Sequence, residues 1–180
     1  MSSEYPEPWM RGPIDGVPPL LMPAAHALQQ AHEDVREVLG RLTTDQLWVR
    51  PGGAASVGFH VRHIGGALDR LFTYARGESL DAAQLRAKVN EEQDTGLDAS
   101  ALAAEVDDAM LRAFTQLRAT THEMLLEPRG VGRRQLPSNV LGLLFHAAEH
   151  ATRHAGQAIT TAKVVLDSQL PTPTFTTPNA

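Results

Sequence analysis

The sequence predicts an all-α protein, a four-helix bundle whose helices run up-down-down-up. Four segments place apolar residues at three- and four-residue steps, the pattern of a helix with one buried face. No alternating apolar and polar run of useful length predicts a strand. The polar connection between Gly77 and Ser100 is too long for a hairpin, so it can cross the bundle and leave helices two and three parallel.

Capping and turn residues set the expected limits of the first two helices. The first begins at Leu20 or Pro23 and ends near Arg41. The second spans residues 57–76, with Ser56 as its predicted N-cap. Each has a single apolar face and should pack that face into the core.

The second half of the chain contains the other two long helices. The polar connection holds one short predicted helix near residues 82–89. The third long helix is predicted over residues 100–126, and the fourth over residues 140–166 with Ser138 as its N-cap.

Two segments flank the predicted bundle domain, which covers residues 24–167. Residues 1–23 contain half of the chain's 12 prolines, so we predict an extended arm. Its tryptophan and aliphatic residues are too apolar for a solvated tail, and we expect it to lie along the domain or along a partner subunit. Residues 168–180, rich in proline and threonine, are predicted to form a flexible tail.

Composition excludes several classes of function. A formal net charge of −5, with no run of basic residues, argues against nucleic-acid binding. The absence of cysteine excludes thiolate metal sites, disulfides and a cysteine nucleophile. Neither a signal peptide nor an apolar run long enough to cross a membrane is recognisable. We therefore expect a cytoplasmic protein in which any metal ligands are histidines or carboxylates.

The spacing of histidines in the fourth helix is the strongest chemical signal. His146, His150 and His154 follow one another at steps of four residues. Side chains four apart lie about 6 Å from each other at Cβ, so two imidazoles can hold one metal ion. The stripe drifts by about 40° per step, so at most two of the three should bind the same ion. Simple packing and hydrogen bonding of these histidines is the alternative interpretation.

The second helix supplies candidates for a third ligand. His60 and His63 share a face near its start, and Gly65-Gly66 would let another helix approach. In a bundle the inward faces of the helices meet, so one of these histidines could join two from the fourth helix. Three neutral imidazoles with open coordination positions describe a catalytic metal site rather than a structural one.

The motifs GFHVRHIGG and HAAEHATRHAGQ together resemble those of the DinB-like family of metal-binding bundles, the DinB/YfiT superfamily. The resemblance covers roughly residues 24–166. Residue by residue, it implies that His63, His150 and His154 are metal ligands, with Gly156-Gln157 matching the family's Gly-Gln step. Relatives usually have arginine or histidine before that glycine, where this chain has Ala155.

The resemblance also has implications for the fold, the oligomeric state, the metal ion and the reaction. It implies an up-down-down-up bundle, a homodimer, and a divalent transition ion such as zinc or nickel. Relatives include transferases and isomerases that depend on a low-molecular-weight thiol, and metal-dependent hydrolases. A metal ion could activate water for hydrolysis or the thiol of such a cofactor. The alternative is a non-catalytic, dimeric binding or stress-response protein whose metal is structural or incidental.

Other polar residues near the proposed ligands have two interpretations each. His60 and His146 could orient ligands or move protons, but packing with local hydrogen bonds is the interpretation we favour. Glu149 points about 100° away from the neighbouring ligand, so a solvated carboxylate is favoured over a general base. Arg62 and Arg153 could contact an anionic substrate or be solvated.

Overall fold

The computed structural model describes residues 6–167, so the predicted tail at 168–180 lies outside the described residues. Within that range the chain is mostly helical. The helices are α1 (Met22–Leu39), α2 (Thr44–Trp48), α3 (Val57–Ala75), α4 (Ala82–Asn90), α5 (Ala99–Ala119) and α6 (Val140–Asp167), and the strands are β1 (Pro128–Val131) and β2 (Leu136–Asn139). No helix in the described range has the length and apolarity needed to cross a bilayer.

The four long helices α1, α3, α5 and α6 surround one apolar core. Helix α6 packs against α1 and α3, and α5 packs against the same two helices, with the most extensive contact between α3 and α6. The centre of the core is formed by fully buried aliphatic side chains, among them Leu28, Val35, Ile64, Leu68, Leu102, Val106 and Leu144. Each comes from the apolar face that the periodicity predicts. The up-down-down-up order of helix directions stays a prediction.

Helix starts are fixed by side-chain caps. The predicted N-cap of α3 is confirmed, because Ser56 Oγ accepts a hydrogen bond of 3.1 Å from the backbone N–H of Phe59. The short helix expected in the crossover is also confirmed as α4. It begins with a capping box in which Asp81 and Gln84 satisfy each other's backbone N–H groups.

The fourth long helix begins at Val140 as predicted, but its predicted cap and the predicted end of the third helix were wrong. Helix α5 stops at Ala119 instead of residue 126, because Thr120 adopts an extended conformation. Ser138 does not cap α6, since it lies in β2. The cap is Asn139, whose Oδ1 accepts a 2.7 Å hydrogen bond from the backbone N–H of Gly142.

The expectation that the chain has no strands was also wrong. Strands β1 and β2 form an antiparallel hairpin that pairs Pro128 with Asn139 and Val131 with Leu136. Strands of four residues are too short to show an alternating pattern in the sequence. The hairpin runs directly into α6, and the backbone N–H of Val140 donates to the carbonyl of Glu127 at 3.2 Å.

The proline-rich segment before α1 lies along that helix. It contains two short 3-10 turns, Pro8–Met10 and Pro19–Leu21, separated by irregular chain. Arg11 forms a paired contact with both carboxylate oxygens of Glu33, at 2.6 and 2.8 Å. His26 hydrogen-bonds the carbonyl of Gly12 at 2.9 Å, which ties this histidine to the arm.

Candidate metal centre

Three histidines from α3 and α6 converge where these two helices pack. One nitrogen from each of His63, His150 and His154 can be chosen so that all three atoms lie within 4.8 Å of one another. The Nε2 atoms of His63 and His150 are 2.9 Å apart. The ring centroids of His63 and His154 are separated by 4.4 Å. The structure therefore brings together the three residues that the sequence predicts as ligands.

Small residues on α6 allow this close approach. The buried positions between and beside the two α6 histidines are alanines, Ala147, Ala148, Ala151, Ala155 and Ala158. An alanine stripe keeps the backbone of α6 near α3, so that imidazoles from both helices can meet. Ala155, which stands where relatives usually have arginine or histidine, is 1% exposed and packs in this core.

A buried carboxylate that sequence analysis missed contacts the first of these histidines. Glu91, at the end of α4, accepts a 2.8 Å hydrogen bond at Oε2 from His63 Nδ1. The same carboxylate is paired with the guanidinium of Arg70. Glu91 and Arg70 are only 5% and 9% exposed, so the two charges neutralise each other in the interior. The only sequence signal was the position of Arg70, two helical turns after His63 on the same face.

A glycine of α3 makes room for this carboxylate. A Cβ at Gly66 would overlap Glu91 Oε1 and lie 2.8 Å from Arg70 Nη1. A Cβ at Gly65 would only meet the Cβ of Ala109 at an ordinary 3.6 Å. We expected both glycines to admit another helix, but Gly66 instead admits a charged side chain.

His60 lies against the last histidine of the cluster. Its Nδ1 is 3.0 Å from the Nδ1 of His154, so one of these nitrogens donates and the other accepts. When His154 Nδ1 is the donor, its Nε2 carries the lone pair that a metal ion needs. His60 is 6% exposed, which means that it packs in the interior and also touches a candidate ligand. The two interpretations of His60 are therefore compatible.

Other polar residues lie beside the site without belonging to the three converging histidines. His146 is exposed, approaches Glu149 at 3.5 Å, and lies against His150 with the two ring centroids 5.6 Å apart. Glu149 pairs with Arg153 on the same helix face, in agreement with a solvated carboxylate. Arg62 donates to the backbone carbonyl of Asn90 at 2.9 Å, so it holds the end of α4.

Electrostatics favour neutral imidazoles at His60, His150 and His154. Burial, with a smaller contribution from the nearby charge of His63, lowers the pKa of His154 to about 4. Burial is also the main cause of the lowered pKa of His60 and of His150. For Glu91, burial alone would raise the pKa, but hydrogen bonds from His63 and Arg70 outweigh it and the pKa is lowered. Neutral imidazoles at His150 and His154 are in the protonation state that metal binding requires.

Two solved structures share this fold. A conserved protein from Enterococcus faecalis aligns with a TM-score of 0.68 at 19% identity, covering 82% of this chain and 97% of that one. A DinB-like protein from Bacillus cereus aligns with a TM-score of 0.52 at 17% identity, covering 84% and 96%. No functionally curated protein matches the sequence significantly. The family model of the DinB superfamily matches residues 27–158, a span that includes all three converging histidines, and the chain belongs to that superfamily.

Proposed function

We propose that this protein binds one divalent transition-metal ion through His63, His150 and His154, and that the ion serves an enzymatic reaction. The observation that supports metal binding is the convergence of one nitrogen from each residue within 4.8 Å. Lowered pKa values of His150 and His154 favour the unprotonated imidazoles that a metal ion needs.

The chemistry of the donors favours zinc or nickel. Imidazole nitrogens suit borderline ions such as these, and the chain has no cysteine to favour softer ones. Three protein ligands leave at least one coordination position for water or substrate, which is typical of catalytic sites. A bound ion of this kind supplies Lewis acidity, which lowers the pKa of water or of a thiol that it coordinates.

The surroundings of the site have room for a small substrate. An open depression of about 450 Å³ lies beside His60 and is lined by Arg153, Gln157 and Thr160, among others. Gln157 and Thr160 offer hydrogen-bonding groups, and the positive charge of Arg153 is shared with Glu149. Hydrolysis and transfer that depends on a low-molecular-weight thiol both suit such a site.

We also propose a homodimer, which light scattering of the purified protein would test.

Metal analysis is the experiment that tests the proposal. Protein purified without a histidine tag should contain about one zinc or nickel ion per chain, or take one up on titration. His63→Ala and His150→Ala should each lose the ion, while His122→Ala, a change at an exposed position, should keep it. A wild-type protein that takes up neither metal, or variants that retain it, would contradict metal binding at this site.

Activity assays then separate the enzyme classes. Steady ester hydrolysis by the metal-loaded protein in the absence of thiol would support a hydrolase. Turnover only with an added low-molecular-weight thiol would support a transferase. A protein whose fold and partner binding persist after the metal is removed, and which turns over neither substrate class, would favour the non-catalytic alternative.

A further inference from the structure

We propose that Glu91 is a positioning residue for the metal ligand His63, which it holds through Nδ1 so that Nε2 faces His150. This inference rests on the proposed metal binding and adds to it a residue from the crossover connection. It also assigns a role to two residues that support Glu91, namely Arg70, which fixes the carboxylate, and Gly66, which makes room for it.

The hydrogen bonds define which nitrogen of His63 carries a proton and which carries the lone pair. An ionised carboxylate only accepts hydrogen bonds, so the contact of 2.8 Å with Glu91 Oε2 requires the proton to be on His63 Nδ1. In the neutral imidazole the lone pair is then on Nε2, the atom that lies 2.9 Å from His150 Nε2. Histidine ligands commonly donate their second nitrogen to a carboxylate in this way, which fixes the ring orientation and raises its basicity.

The arginine prevents the carboxylate from moving. Arg70 contacts both oxygens of Glu91, through Nη1 to Oε1 and, at 3.3 Å, through Nη2 to Oε2. Both residues belong to the interior, where a charge that loses its partner is costly. The guanidinium therefore confines Glu91 to the one position from which it also reaches His63.

Helix α4 is fastened to α3 at both ends, so the position of Glu91 is set by the fold. Near the start of α4, Gln84 Nε2 donates to Asp69 Oδ2 at 2.6 Å and to Thr73 Oγ1 at 2.8 Å. At its end, Arg62 donates to the carbonyl of Asn90, the residue before Glu91. Both contacts involve side chains of α3, the helix that carries His63.

Metal affinity of matched variants tests this role. Glu91→Gln keeps the size of the side chain but turns an amide N–H₂ toward either Arg70 or His63. We expect zinc affinity, measured by competition with a chelating dye, to fall about 10- to 100-fold, the usual loss when such an outer partner of a ligand is changed. Glu105→Gln is the control, because Glu105 only forms a loose, half-exposed pair with Arg62 at 3.7 Å.

A double variant separates positioning from stability. Glu91→Gln also leaves the buried Arg70 poorly paired, which could weaken the fold and the metal site together. Replacing the pair with apolar residues, Arg70→Met with Glu91→Leu, removes both charges and should leave thermal stability near that of the wild type. Affinity should still be about 10- to 100-fold lower, because His63 has lost its acceptor.

The proton position on His63 provides a second readout. In the metal-free wild type, nitrogen NMR of the imidazole should show the Nδ1-protonated form, and in the double variant a mixture of both tautomers. A purely structural ion pair would not change this spectrum. Wild-type affinity and an unchanged tautomer in the folded double variant would overturn the inference while leaving metal binding intact. Absence of metal uptake by the wild type would instead overturn the proposed function, and the positioning role with it.

Discussion

The short helices α2 and α4 each bring a large side chain against a glycine of α3, but one side chain is aromatic and the other is charged. Helix α2 ends at Trp48, whose indole lies over Gly58 of α3, and α4 is followed by Glu91, whose carboxylate lies over Gly66 of the same helix. In both cases a missing side chain on α3 makes room for a large group from a segment outside the four long helices.

The consequences of the two contacts differ. Trp48 is held by a neutral hydrogen bond of 3.0 Å from its Nε1 to the carbonyl of Leu97, and its ring fills space. Glu91 is charged, neutralised by Arg70, and directed at His63. An apolar side chain over a glycine contributes to stability, whereas a charged one at a similar place can also orient a neighbouring group. Replacing each of these glycines with alanine tests whether the two contacts have these different roles.

The largest effect on folding is expected from Gly58→Ala. Its Cβ would lie 2.8–2.9 Å from three carbons of the Trp48 ring, so the indole or the helix must shift. We expect unfolding of the metal-free protein in urea to require about 1–3 kcal/mol less free energy than in the wild type, which is typical of an overpacked interior. Metal affinity should be unchanged. A variant that is as stable as the wild type would show that α2 is loosely attached.

The next largest effect is expected from Gly66→Ala, and it should appear in metal binding. The added Cβ would displace Glu91 from His63, and we expect about tenfold weaker zinc affinity, equivalent to about 1.4 kcal/mol. Gly65→Ala is the matched control one residue away, where the Cβ has room. It should keep wild-type affinity and gain up to about 1 kcal/mol of stability from helix propensity. Equal affinities of the two variants would contradict the difference between the two glycines.

A smaller effect is expected from acid, through the histidines beside Glu91. The pKa of His154 is lowered from 6.5 to about 4 on folding, so the unfolded chain binds this proton more readily. Stability of the metal-free protein should therefore fall as the pH drops from about 6.5 towards about 4. Because His154 is partly exposed, solvent screening makes this loss modest. His154→Gln should show a shallower fall over that interval in urea titrations, and an unchanged slope would show that other groups cause the acid sensitivity.

Local patterns were enough to predict the four long helices, but the choice of the three histidines also needed the family resemblance. The apolar periodicity gave the faces of the long helices, because each face packs into one core. Spacing placed His146, His150 and His154 along one face of the fourth helix and offered His60 or His63 from the second. The resemblance to the DinB-like family then singled out His63, His150 and His154. The family assignment made from these motifs is confirmed.

Residues that depend on tertiary contacts were not predictable. Glu91 lies 28 residues from His63 in sequence, and their contact depends on the path of the crossover, which no local pattern records. Similarly, the exchange of Ser138 for Asn139 as the cap of α6 follows from strand pairing in a hairpin too short to be recognised.

The direct junction between the hairpin and α6 makes the chemistry of the helix sensitive to chain length. With Val140 bonded to Glu127 and Leu141 to Leu125, the first turn of α6 has a fixed rotational setting. One residue inserted after Asn139 would rotate everything downstream by about 100° and turn the histidines away from α3. Natural or engineered length variation is therefore expected in the turn of the hairpin, where extra residues bulge outward, and not at the point where strand becomes helix.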